Sequence, residues 1–188
     1  MTVTDSAKVR QLAEFSVPAA SVGIAAGLVA GGLAAFVGRP IGWALVTGLG
    51  LAIPLALFGA GYAVLLALGK IPAGVFAPAA VYWVIGFPLA LLAHSVVTEW
   101  SVAGTPGLPA EPWKFLAFRA LLSMGFAIGF IWMHEQLGRH WWPRILDHNL
   151  YARRVVAQYV ELADSLAERK AATDRHRKTT GAVGRGRN

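Results

Sequence analysis

The sequence predicts an all-α polytopic membrane protein, with four transmembrane helices and an amphipathic C-terminal helix on the cytoplasmic side. Three observations support this. Of 188 residues, 56% are hydrophobic and only 14% charged, against about 25% charged in soluble globular chains. The charge is segregated: between Glu14 and Glu99 the only charged side chains are Arg39 and Lys70. Long apolar stretches divided by single charges mark repeated membrane spans. Small residues also stand four apart along two of these stretches, which is the pattern of close helix packing in lipid.

The elements follow in chain order. Residues 1–16 combine a helix cap at Asp5 or Ser6 with apolar Val9, Leu12, Ala13 and Phe15, which predicts a short amphipathic segment. The first span covers residues 17–37. That is enough to cross a core about 30 Å thick and longer than the apolar region of a signal peptide, about 7–15 residues, so a retained span is expected. Gly38-Arg39-Pro40 forces a tight hairpin into a second span, 41–68, and Lys70 and Pro72 mark the turn into a third, 73–97. The next connection carries Pro106, Pro109 and Pro112 between Trp100 and Trp113, tryptophans suited to the interfacial aromatic belt. A fourth span, 115–134, completes a transmembrane domain of residues 17–138.

Beyond it, Trp141, Trp142 and Pro143 are expected to form a turn at headgroup level. In the segment 139–172, Val155, Tyr159, Leu162 and Leu166 recur at spacings of 4, 3 and 4, on one helical face. That face, with Arg153 and Arg154 beside it, is expected to bind a partner or the membrane surface. Residues 173–188 have too few apolar side chains to fold alone and are expected to form a basic, disordered tail.

Basic residues set the orientation. Eleven of them follow the fourth span, from Arg139 to Arg187, so the tail is expected to stay in the cytoplasm. An even number of spans then places Lys8, Arg10 and Lys70 inside as well, in an inner (cytoplasmic) membrane. Arg39 and Lys114 fall outside. The net charge of +7 is thereby explained by topology, and no specific nucleic-acid partner is expected. The excess of Arg over Lys, with abundant Ala and Gly, suggests GC-rich bacterial coding.

The small-residue stripes are Ala19, Gly23, Gly27, Gly31 and Ala35 in the first span, and Ala44, Gly48, Ala52, Ala56 and Ala60 in the second. In water each such glycine costs about 1 kcal/mol relative to alanine. In lipid, small side chains let backbones approach, as in a glycine zipper. Spans joined by a three-residue turn are expected to lay these stripes together. Self-association, or docking on another membrane subunit, is the alternative use. Pro54, Pro78 and Pro88 are expected to kink the second and third spans.

Few polar groups are placed for chemistry. Arg119 lies five residues past Lys114, at a depth of about 7 Å, on the same side as His94 and Glu99, and these three form a candidate polar or transport site. His134-Glu135 is followed by His140 at i+6 rather than the i+4 that a zinc-protease helix needs. His134, His140 and His148 remain a weak candidate metal site at the inner interface. Without cysteine there is neither disulfide nor thiolate ligand, and no cofactor is expected. With no nucleotide-binding or hydrolase motif, the expected function is a noncatalytic integral membrane subunit or assembly factor of a larger complex. Its partners would be membrane lipid and other membrane subunits or a second copy. A small oligomeric transporter or channel is the alternative.

Overall fold

The computed structural model describes the backbone of residues 3–185 and the side chains of residues 5–173. The described residues form five helices and no strand: α1 (Val3–Phe36), α2 (Ile41–Ala67), α3 (Phe76–Ala103), α4 (Pro112–Ile145) and α5 (Leu150–Arg185). The first four are long and apolar enough to cross a membrane, and their outward faces expose Leu28, Leu57, Val81 and Leu121. A helix satisfies its own backbone hydrogen bonds, so such a surface suits hydrocarbon. The architecture is compatible with that of a multi-pass membrane protein.

The elements differ from expectation, α3 running to Ala103 and α4 starting at Pro112 among other changes. The N-terminal segment is the first part of α1 rather than a separate helix. α4 runs past residue 134 and through Pro143, so the turn falls at Leu146–Asn149 and not at Trp141–Pro143. Pro78 sits in the first turn of α3, where its missing N–H has no helical partner to lose, while α2 and α3 continue through Pro54 and Pro88. The α5 backbone is helical to Arg185, beyond the expected end at 172. Residues 186–188 of the expected tail, and its side chains from 174 onward, lie outside the described residues.

Two turns share one chemistry. Gly38 (φ +80°) donates to Ala35 O while Arg39 donates to Ala34 O, and Gly69 (φ +71°) and Lys70 repeat the pattern on Leu66 O and Leu65 O. These are Schellman caps, in which glycine accepts the left-handed conformation and free carbonyls at the helix end find donors. Sharp stops of this kind let α1 and α2 fold back on each other along their length.

α1 lies against α2 and α4, and α3 lies against the same two helices. The α1–α2 seam is the closest. A Cβ added to Gly23 would fall 2.3 Å from Ala56 N, and one on Gly27 would fall 2.4 Å from Ala52 Cβ. On Gly31 it would meet Ala44 O at 2.9 Å and Gly48 Cα at 3.0 Å. Gly59, which is not in either stripe, leaves 2.4 Å to Ala19 O. The backbones therefore touch along most of the seam, a geometry that a larger side chain would prevent. Ala35 and Ala60 lie nearer the two ends of the seam.

Gly27→Leu forces α1 and α2 apart and should destabilise the chain by about 1–3 kcal/mol, the usual cost of overpacking. Gly32, four positions from Leu28 on the open face, has nothing within 4 Å of an added Cβ, so Gly32→Leu should be neutral. Thermal unfolding of the two variants in detergent checks the pair; equal midpoints would mean that the seam does not carry stability.

Candidate functional site

A column of rings fills the interior beside the α1–α2 seam. Along α4, Phe126, Phe130, His134, Gly138 and Trp142 stand four apart, a spacing that keeps them on one face. Phe126 lies 4.7 Å from Phe87 and 4.7 Å from Trp83, and Trp83 lies 4.5 Å from Phe130. Phe130 continues to Tyr62 at 5.3 Å and stacks on His134 at 5.7 Å. His134 meets Trp142 at 5.4 Å, and Trp142 lies flat on Phe15 at 5.3 Å with 6° between the planes. Each such pair adds about 0.5–1.5 kcal/mol beyond area burial. Gly138 makes the last step possible, because a Cβ there would strike the Trp142 ring at 2.6 Å.

This column corrects two expectations. Trp142 is 3% exposed and belongs to the core rather than to a headgroup belt. His134 is 1% exposed, with its Nε2 buried and without a hydrogen-bond partner, and not a polar group at the interface. Trp100 and Trp113, by contrast, are exposed.

At the same end of the bundle, Asn149 ties α5 to α1. Its Oδ1 accepts from Tyr151 N and Ala152 N, both at 3.1 Å, which is an N-cap for α5. Its Nδ2 donates to Gln11 O at 2.8 Å and to Glu14 Oε2 at 3.1 Å. Gln11 Nε2 donates in turn to His148 O, and His148 Nε2 lies 2.8 Å from Glu14 Oε1. The Trp141 indole donates to Glu14 O at 2.9 Å. Glu14 precedes the apolar run that begins at Val17. The His148 hydrogen bond chiefly holds its carboxyl below the ordinary value of 4.5, partly opposed by desolvation and helped by Asn149.

The expected partner-binding face of α5 has a nearer occupant. Val155 is fully buried against the bundle. Burial, and then the Glu135 carboxylate, push the Tyr159 phenol up. It stays protonated and donates to Glu135 Oε1 at 3.3 Å, while its ring stacks on Trp142 at 5.9 Å. Leu162 packs at Gly74 of the α2–α3 turn. Leu166, 55% exposed, lies beyond these contacts. Arg154 donates to Ala67 O at 3.5 Å at the end of α2, and Arg153 to Leu146 O and Asp147 O after α4. Both place a cation where helix carbonyls lack donors.

At the opposite end, His94, Ser95, Thr98 and Glu99 of α3 and Phe115 and Arg119 of α4 share a cleft of about 220 Å³ with Leu91. Among the described residues Arg119 makes no ion pair within 4 Å, with Glu99 or any other carboxylate. Its guanidinium lies 5.1 Å from the Phe115 ring centre and 5.8 Å from that of Phe118, and Nε is buried without a hydrogen-bond partner. Near a helix centre an arginine costs about 2.5–3.5 kcal/mol on insertion scales. His94 Nδ1, also buried and unpartnered, would be 3.1 Å from a Cβ on Gly50.

The other histidines lie apart in their chemistry: His140 Nδ1 is 2.8 Å from Gln136 O, and His148 is held by Glu14. Among the described residues no three His, Cys, Asp or Glu side chains group as metal ligands. The ring column and the Asn149 knot escaped sequence reasoning. The four-residue spacing from Phe126 to Trp142 was the available signal for the first.

Asn149→Asp keeps the N-cap oxygen but replaces the donor to Glu14 with a carboxylate. Hydrogen exchange should show α5 still helical yet released, with protection around Val155 falling about tenfold or more for a lost charged-group hydrogen bond. Unchanged protection would show that the knot is not what holds α5. The depressed Glu14 carboxyl stabilises the fold fully above pH 4.5, and that contribution is lost as pH falls through its lower folded value. Acid titration of α5 protection in Glu14→Gln, compared with the parent, should remove this acid-sensitive step; an identical step in both would assign it elsewhere.

No family model, curated protein or solved structure matches this chain.

Proposed function

We propose that this chain is a noncatalytic integral membrane subunit or assembly scaffold of a larger membrane complex. The observation that carries this reading is the filling of the interior. Rings from Phe87 to Phe15 occupy the space between helices, and the buried Asn149 has its hydrogen bonds satisfied within the chain. Such a bundle is built to stand in a membrane and present surfaces, and its polar cleft is lined from α3 and α4 alone rather than from all four helices.

A surface suited to a partner runs beside the α1–α2 seam. Ile24, Leu28, Leu45 and Leu49 flank a shallow groove of about 360 Å³ floored by Gly31, Gly32, Ala44 and Gly48. Small residues at a groove floor let another helix approach closely, so the glycine-zipper surface serves the α1–α2 pair and offers its open margin to another membrane subunit.

The reading includes an orientation in a bacterial inner membrane. The start of α1, the α2–α3 turn and the α4–α5 turn share one end of the bundle, which carries Lys8, Arg10, Lys70, Arg153 and Arg154. Positive-inside bias puts that end in the cytoplasm, with α5 as an amphipathic helix beneath the bundle. A second reading, a small oligomeric transporter using Arg119, His94 and Glu99, is favoured only by the unpaired Arg119.

Purification at native expression should recover the chain with a stoichiometric membrane partner. Because the chain has no cysteine, Leu28→Cys can be cross-linked selectively in membranes. It should trap that partner, whereas Leu121→Cys on α4 should not. A chain that purifies alone as a monomer overturns the scaffold reading.

A further inference from the structure

The cleft at the α3–α4 end combines features that the scaffold role does not use. Arg119 is set about 7 Å inside the span, held over Phe115 and Phe118, and among the described residues it has neither a carboxylate partner nor a hydrogen bond from Nε. Its nearest exposed cation toward the helix end, Lys114, is already paired with Glu111 at 2.7 Å. Ser95 brings a hydroxyl to the same cleft, Thr98 lines it with its own hydroxyl donated to His94 O at 2.9 Å, and Glu99 stands five residues outward from His94. Along α4 below the cleft, Phe118 and Leu122 are exposed apolar side chains.

From this juxtaposition we infer that the cleft binds the headgroup of a phospholipid, with its phosphodiester at Arg119 and its ammonium at Glu99. A guanidinium offers charge-assisted donors to phosphate oxygens, and the Ser95 hydroxyl adds a neutral one. The Glu99 carboxylate attracts a cationic amine and repels a headgroup with net negative charge. The order of depth fits the ligand: the cation lies deeper, where the phosphate enters, and the carboxylate lies shallower, where the amine reaches water. An acyl chain leaving this site runs along Phe118 and Leu122, so the ligand is one supplied by the bilayer itself. The site thus selects an amine-bearing zwitterionic phospholipid, of the phosphatidylethanolamine type, over phosphatidylglycerol.

Native mass spectrometry of the purified full chain, released from detergent containing equal amounts of these two lipids, tests the assignment. The parent chain should retain phosphatidylethanolamine preferentially. Arg119→Gln should lower that retention about tenfold, the scale set by loss of one charge-assisted contact. Glu99→Gln removes an exposed carboxylate and should preserve phospholipid binding while abolishing the preference. Excess inorganic phosphate should not displace the lipid.

Equal retention of both lipids by the parent overturns the headgroup assignment, and so does undiminished retention in a folded Arg119→Gln. Displacement by inorganic phosphate assigns the site to a free anion and overturns the lipid source. Should Arg119→Gln fail to elute as a folded species, Glu99→Gln decides, and an unchanged preference in that variant overturns the proposal. None of these outcomes depends on whether the chain co-purifies with a protein partner.

Discussion

Hydrocarbon tails are as apolar as leucine, so hiding apolar surface cannot drive membrane helices together. The rest of this structure depends on that constraint. Contact has to come from shape, and the bundle meets the requirement in two opposite ways. Between α1 and α2 the side chains are removed: Gly23, Gly27, Gly31 and Gly59 leave room only for backbone. Between α3 and α4 they are enlarged, and Trp83, Phe126 and Phe130 interlock at centroid separations of 4.5–6.1 Å. Both solutions maximise dispersion contact, one by bringing main chains together and the other by filling the gap between them.

The two systems meet at Trp142. Its ring stacks on Phe15 of α1 and on Tyr159 of α5, lies edge-on to His134, and folds back over Gly138 of its own helix. A single side chain therefore joins three helices where no backbone stripe reaches. Asn149 supplies the polar counterpart a few residues later, joining α1 to α5 through fully used donors and an acceptor. Aromatic contact sets how closely the helices lie, and directional hydrogen bonds set where along each other they stop.

Much of the fold was legible because membrane spans announce themselves by length and composition. The hairpins were legible from Gly38-Arg39-Pro40 and from Lys70 and Pro72, which interrupt the apolar runs; the part of Gly69 in the second turn was not seen. The α1–α2 stripes gave a local pattern on each partner, and the three-residue turn put those partners side by side. The ring column had a clear period on α4, but its partners, Tyr62, Trp83 and Phe15, come from three other positions in the chain with no shared spacing. Trp142 misled for a physical reason: beside Trp141 and Pro143 it has the composition of an interface anchor, and only the continuation of α4 turns it inward. The face of Val155, Tyr159 and Leu162 was visible, yet an amphipathic period does not name what covers it. The chain's own α4 and α2–α3 turn do.

The two ends of the bundle differ in how their polar groups are treated, and that contrast bears on function. At the α5 end Glu14, His148, Asn149 and Gln11 close a network on themselves, and Arg153 and Arg154 finish on helix carbonyls. At the other end Arg119 lies over the Phe115 and Phe118 rings and, among the described residues, makes no ion pair, although Glu99 lines the same cleft. A protein interior tolerates an unpaired cation poorly, and the proposed phospholipid phosphate would supply the missing opposite charge. The closed end holds the chain's own helix. The open end carries the cleft for which we propose a phospholipid headgroup, and on that proposal the two ends divide the maintenance of shape from recognition.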